Sequence, residues 1–159
     1  MNIVLIGQRG AGKTEIGNLL SRKLGKKLIS TREEVLKKIR FIEKFIKTNG
    51  IEKFFEIESE IIEHLCSSDD CILDTSEEIL LRNENINNLK SSGLIILLTA
   101  DSKTIASRLK NRKPELSLKE FDTPESRFGQ AADYVVDTSN IEPEEICDMI
   151  LHYIGAETK

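Results

Sequence analysis

A chain of 159 residues, 39% hydrophobic and 31% charged, holds enough apolar material for one packed domain and too much for a disordered one. Its net charge of -4 argues against a nucleic-acid surface. The first apolar run, Ile3 to Ile6, is too short for a signal peptide or a membrane span, so a cytoplasmic protein with no membrane partner is expected.

Short aliphatic runs alternate with longer amphipathic stretches, the pattern of a parallel sheet covered by helices. The chain opens with a strand at 2–6, a glycine loop and a helix at 13–24. A strand at 27–30 leads into helices at 33–47 and 51–66, then come a strand at 71–74, a helix at 83–89, a strand at 94–98 and a helix at 102–111. Residues 112–128, with prolines, charges and few periodic apolar positions, read as an irregular flap before the last strand at 134–137 and the last helix at 143–154. Phe41, Phe45, Phe54 and Phe55 recur at helical spacings; core is the favoured reading and a partner surface the other. Cys66, Cys71 and Cys147 form no CxxC pair and fit no closed disulfide set, and His64 and His152 stand at no metal-like spacing.

Between the first strand and the first helix, Gly7-Gln8-Arg9-Gly10-Ala11-Gly12-Lys13-Thr14 fits GxxxxGK[ST] in the context that motif requires. Glycines at 7, 10 and 12 let the backbone, with Ala11, turn its N–H groups inward, and the start of the helix adds a positive dipole end. These residues are expected to cradle the phosphates of ATP or ADP. Lys13 would reach the β- and γ-phosphates and the Thr14 hydroxyl would bind Mg²⁺. A GTPase would carry DxxG and NKxD motifs, and the sequence has neither at suitable spacing. The expected fold is therefore α/β, a three-layer αβα P-loop NTPase with a five-stranded parallel sheet and a nucleoside monophosphate kinase-like build. It forms a single domain over 1–159, with acceptor-binding helices at about 33–66 and a lid at about 112–128.

Within that group the chain resembles shikimate kinases over almost its whole length. The opening from Gly7 to Gly17 is similar to that family's, and Phe54-Phe55-Glu56-Ile57-Glu58 looks like its FRELE segment. Leu81-Arg82 with Glu84-Asn85 resembles its LREEN stretch, and Ala132-Asp133-Tyr134-Val135-Val136-Asp137-Thr138 is similar to its ADxVVDT strand. The resemblance implies that the turn from Asp137 to Asn140 lies near adenine and that Arg108 lies against the base or the phosphates; a solvated helix arginine is the plainer reading of Arg108.

The acceptor side departs from the family pattern. The DTD of the family reads Ser30-Thr31-Arg32, the arginine of FRELE is Phe55, and its Gly-Gly-Gly reads Ser76-Glu77-Glu78. The lid arginine falls at Pro124, with Arg127 as the substitute if the register slips, and Lys113, or Arg112 beside it, stands where an arginine would neutralise the moving phosphoryl group. These exchanges make shikimate a poor match unless it binds in an altered way; if the acidic residues face the pocket, an amine or polyol suits it better, while Arg32 either pairs with an anion or neutralises Glu77 or Glu78. Glu77 and Glu78 read either as pocket groups or as a solvated helix start. Asp74, at the end of a buried strand, reads either as a Walker-B-like Mg²⁺ group replacing the missing metal-side aspartate or as an ordinary turn former. Two functions follow: an ATP-dependent kinase acting on a hydroxyl of a small molecule, or an inactive nucleotide-binding regulator.

Overall fold

The structure, a computed structural model, describes residues 1–112 and 123–157. Its sheet has five parallel strands: β1 Asn2–Ile6, β2 Lys27–Ser30, β3 Cys71–Asp74, β4 Gly93–Thr99 and β5 Tyr134–Asp137, in the order β2-β3-β1-β4-β5. Every residue of β1 and β3 is buried, which is why these strands read as continuous aliphatic runs without polar alternation. The strands β2 and β5 form the edges, and there burial is partial, with Val135 exposed.

Among the described residues the helices are α1 Lys13–Leu24, α2 Thr31–Lys38, α3 Ile42–Asn49, α4 Ile51–Cys66, α5 Asn83–Ser92, α6 Ser102–Leu109, α7 Glu125–Ala131 and α8 Pro143–Glu157. A short 3-10 helix, Glu77–Leu81, follows β3. Alternate strand residues point to opposite faces, so the sheet divides two cores. On one face Val4, Ile6, Leu73, Ile95 and Leu97 meet Val35, Phe54, Ile62 and Phe128. On the other Ile3, Leu5, Ile72, Ile96 and Leu98 meet Ile16, Leu20, Ile146 and Ile150.

Three local expectations needed correction. The helix expected at 33–47 is broken: Ile39 and Phe41 are both extended, and the break lets Ile39 and Ile42 both enter the core. No proline or glycine marks this break, so it is set by tertiary packing. Phe41 is left 65% exposed, with the Arg40 guanidinium 5.6 Å from its ring centroid, whereas Phe54 and Phe55 are buried and Phe45 packs at the core margin. Of the flap expected at 112–128, residues 113–122 lie outside the described residues, and its last part is instead α7, which starts after Pro124 and buries Phe128 and Ala131.

Candidate nucleotide and acceptor site

The phosphate loop leaves β1 at Gly7, whose φ is +144° and whose position leaves no room for a Cβ: one built there would lie 2.3 Å from the Leu98 carbonyl oxygen. Ala11 N–H donates to the Gln8 carbonyl at 3.1 Å, closing the turn, and left-handed Gly12 opens α1. Lys13 Nζ folds back to donate to the carbonyls of Gly7 and Gln8 at 2.7 and 3.2 Å. Thr14 Oγ1 donates to Asp74 Oδ2 at 2.6 Å. That contact arises from the register that pairs Leu5 with Asp74 across β1 and β3, which brings the last residue of β3 level with the start of the loop. A hydroxyl and a carboxylate oxygen side by side are hard donors suited to Mg²⁺.

Arg108, on α6, ties the loop to the turn after β5. Its Nη1 donates to the Gly10 carbonyl at 3.0 Å and to Thr138 Oγ1 at 2.9 Å, and its Nη2 donates to the Thr138 carbonyl at 2.9 Å. Thr138 Oγ1 in turn lies 2.8 Å from the Ala11 carbonyl. Arg108 thus braces the loop from behind. Asp137 is exposed and accepts from Ser139 N–H at 2.8 Å, a bond that holds its carboxyl below the usual range.

The ends of β2 and β3 meet beside this loop. Ser76 N–H donates to Thr31 Oγ1 at 3.0 Å, joining the two strand exits. Ser30 caps α2, its side chain accepting from Glu33 N–H at 3.3 Å. Arg32 pairs with Glu78, which is buried. Glu77 accepts from the phosphate-loop N–H of Arg9, and its carbonyl accepts from Thr123 Oγ1 at 2.7 Å. Glu77 and Glu78 are therefore held groups of this corner, which excludes the solvated helix start. Phe55 lies in the core with its ring centroid 5.7 Å from that of Phe54 and brings no polar atom to the corner.

Glu58 is the group the sequence reading overlooked. It is 1% exposed, on the stripe of α4 that also buries Phe54, Ile61, Ile62 and Leu65, and Ser76 Oγ donates to its Oε1 at 3.4 Å. Burial first, then the Glu78 charge, push its carboxyl from the ordinary 4.5 up to about 8, with Arg32 opposing. A glutamate recurring in register with buried apolar residues was the available signal. Among the described residues Arg32 Nη1 and Glu58 Oε2 are buried polar atoms without a hydrogen-bond partner.

Other expected groups lie elsewhere. Lys113 falls outside the described residues. Arg112 is exposed, Pro124 caps α7, and Arg127 donates to Asn83 Oδ1. No group of three His, Cys, Asp or Glu side chains suited to a metal occurs among the described residues, and none of their helices is long and apolar enough to cross a membrane.

The sheet order, the glycine loop opening α1 and the flanking helices define an α/β P-loop protein of nucleoside monophosphate kinase-like build. The family model for shikimate kinase matches residues 9–155. Shikimate kinases of Caldicellulosiruptor bescii and Thermodesulfovibrio yellowstonii are 31% and 34% identical to the chain. Those alignments cover 99% and 94% of this chain and 98% and 92% of the two relatives. Among solved structures, shikimate kinase from Aquifex aeolicus superposes with a TM-score of 0.79 at 25% identity, covering 99% of this chain and 98% of that one. The fold is also that of shikimate kinase from Acinetobacter baumannii in complex with shikimate, with a TM-score of 0.83 at 24% identity over 98% of this chain and 93% of the other. The chain belongs to the shikimate kinase family. Family and fold together support ATP-dependent phosphotransfer.

Proposed function

We propose that the protein transfers a phosphoryl group from Mg·ATP to a hydroxyl of a small molecule, using the family's nucleotide half with an altered acceptor site. The observation that carries this reading is the 2.6 Å bond between Thr14 and Asp74, two hard oxygen donors directly beside the phosphate loop. They fit Mg²⁺, which when bound would neutralise charge on the phosphate oxygens. Lys13 would leave the Gly7 and Gln8 carbonyls to meet the β- and γ-phosphates, while Arg108 keeps the loop in shape from behind. Asp137 and its turn would border the adenine, and Lys113 is the cation proposed to meet the transferred phosphoryl group.

Arg32, Phe55, Ser76, Glu77 and Glu78 are the residues proposed to make acceptor recognition differ from the family's. Support for the difference comes from composition: three acidic side chains, Glu58, Glu77 and Glu78, accompany one guanidinium, Arg32, at the strand exits, and Glu58 is the one whose proton is held up to about 8. A second reading, an inactive nucleotide-dependent regulator, draws on the Glu77 carboxylate, which engages an N–H of the phosphate cradle and would compete with a phosphate oxygen for it.

ADP release from Mg·ATP separates the two, measured with and without shikimate and a panel of polyols and amino alcohols, with Lys13→Ala as the blank. Acceptor-stimulated release that the variant lacks is expected. Tight ATP binding without any stimulated release would instead favour the regulator, and fast turnover of shikimate would overturn the altered acceptor site.

A further inference from the structure

The exit of β3 is clamped against the phosphate loop. Thr75 N–H and Thr75 Oγ1 both donate to the Leu5 carbonyl, at 3.2 and 2.9 Å, two residues before Gly7. Beyond Thr75 the chain is held on both sides of Glu77: Ser76 N–H donates to Thr31 Oγ1, the Glu77 carbonyl accepts from Thr123 Oγ1, and Glu78 pairs with Arg32. From this tied backbone the half-buried Glu77 side chain reaches the loop and accepts from Arg9 N–H. A carboxylate oxygen on a backbone N–H makes a charge-assisted bond, the same kind that this loop offers to a phosphate oxygen. Ser76-Glu77-Glu78 stands where the family pattern has Gly-Gly-Gly, and a glycine has no side chain with which to make that bond.

Arg9 stands four residues ahead of Lys13 in the loop, and Glu77 meets it from the β3 exit. The N–H groups at the start of α1 face the inner phosphates of a nucleotide. The Arg9 N–H instead faces the corner at the ends of β2 and β3, the direction in which a terminal phosphoryl group has to point if it is to reach an acceptor there. From this geometry we infer that Glu77 is a specificity-determining residue of the nucleotide site: its carboxylate holds the place of a γ-phosphate oxygen on Arg9 N–H, so that a triphosphate has to displace it and a diphosphate does not. Binding of ATP therefore includes freeing this N–H and leaving a carboxylate beside an anionic oxygen, whereas ADP binds with the contact intact. Because the backbone on both sides is tied, only the Glu77 side chain has to turn. The inference rests on the kinase reading above in directing the γ-phosphate toward the acceptor corner.

The test is a calorimetric titration of Mg·ADP, and of the magnesium complex of an ATP analogue with an imido bridge between its β- and γ-phosphorus, into the full chain and into Glu77→Ala. Removing the carboxylate is expected to tighten the analogue by roughly tenfold and to move ADP by less than about twofold. Glu77→Gln keeps an oxygen for Arg9 N–H but removes the charge, so it should tighten the analogue by less than Glu77→Ala does; it carries the test if the alanine variant does not fold. An analogue that binds the folded variants no better, or more weakly, would overturn the inference and make Glu77 a brace of the loop. Equal tightening of both nucleotides would overturn it as well, by moving the contested N–H away from the γ-phosphate. The expected shift of the triphosphate alone, with no ADP release stimulated by any acceptor, would sink the kinase reading and leave the inference standing. Stimulated release with no shift would sink the inference alone, and no binding of either nucleotide to any of these chains would sink both.

Discussion

Asp74 meets Thr14 through strand register, and the contact gives the aspartate a testable job. Asp74→Asn keeps size and hydrogen bonding but removes the charge, so it should weaken Mg²⁺-dependent nucleotide binding by roughly ten- to a hundredfold. Titration without metal should show little change, because the backbone cradle is intact. Glu58 offers a different handle. The folded chain keeps a proton on this carboxyl, held up to about 8, that the unfolded chain releases above the ordinary 4.5. Its contribution to stability is therefore complete below that lower value and is lost as pH rises toward 8. Glu58→Gln, permanently neutral, should flatten this decline and gain on the unaltered chain as pH rises, which urea titrations at pH 5 and pH 8 would check. The phosphate loop was legible in the sequence because its motif fixes residue types at fixed spacing. Glu58 was not singled out, since its meaning depends on Arg32 and Glu78, which come to it from distant parts of the chain.

Elements defined by local pattern were read closely, and those defined by distant contacts were not. Four strands, 2–6, 27–30, 71–74 and 134–137, carry the expected bounds because buried aliphatic runs end where loops begin. The break between α2 and α3 had no local marker, and α7 draws its stability from burying Phe128 under the sheet, a contact the segment's own composition does not announce. The break also separates two phenylalanines of the same apparent pattern. Phe54→Ala empties a fully buried site and should cost about 3–5 kcal/mol. Phe41→Ser, on the exposed linker, should change stability by no more than about 0.5 kcal/mol. Denaturant unfolding of both variants measures the contrast directly.

Across the whole molecule the sheet acts as a partition. Phe54 belongs to one core and Ile146 to the other, with the strands between them. The losses from Phe54→Ala and Ile146→Ala should therefore add within about 0.5 kcal/mol in the double variant, a result that unfolding midpoints and slopes can establish. A larger coupling would mean that the two faces respond as one. The α/β class and parallel sheet were legible because alternating strands and helices leave few ways to bury both faces. Which face would carry the unusual charges was not, because that depends on how α2 and α4 cross the strand exits.

This partition also bears on how such a chain can change over evolutionary time. The arch of Arg108 and Thr138 under the phosphate loop is built from α6 and the end of β5, while the Arg32–Glu78–Glu58 group is built from α2, α4 and the Glu77–Leu81 turn. The two assemblies share no side chain among these. Under the proposed assignment of these residues, substrate choice can be rewritten on one set of elements while the machinery for holding a nucleotide is inherited unchanged on the other, so that an old scaffold takes on new chemistry by replacing one half of its vocabulary.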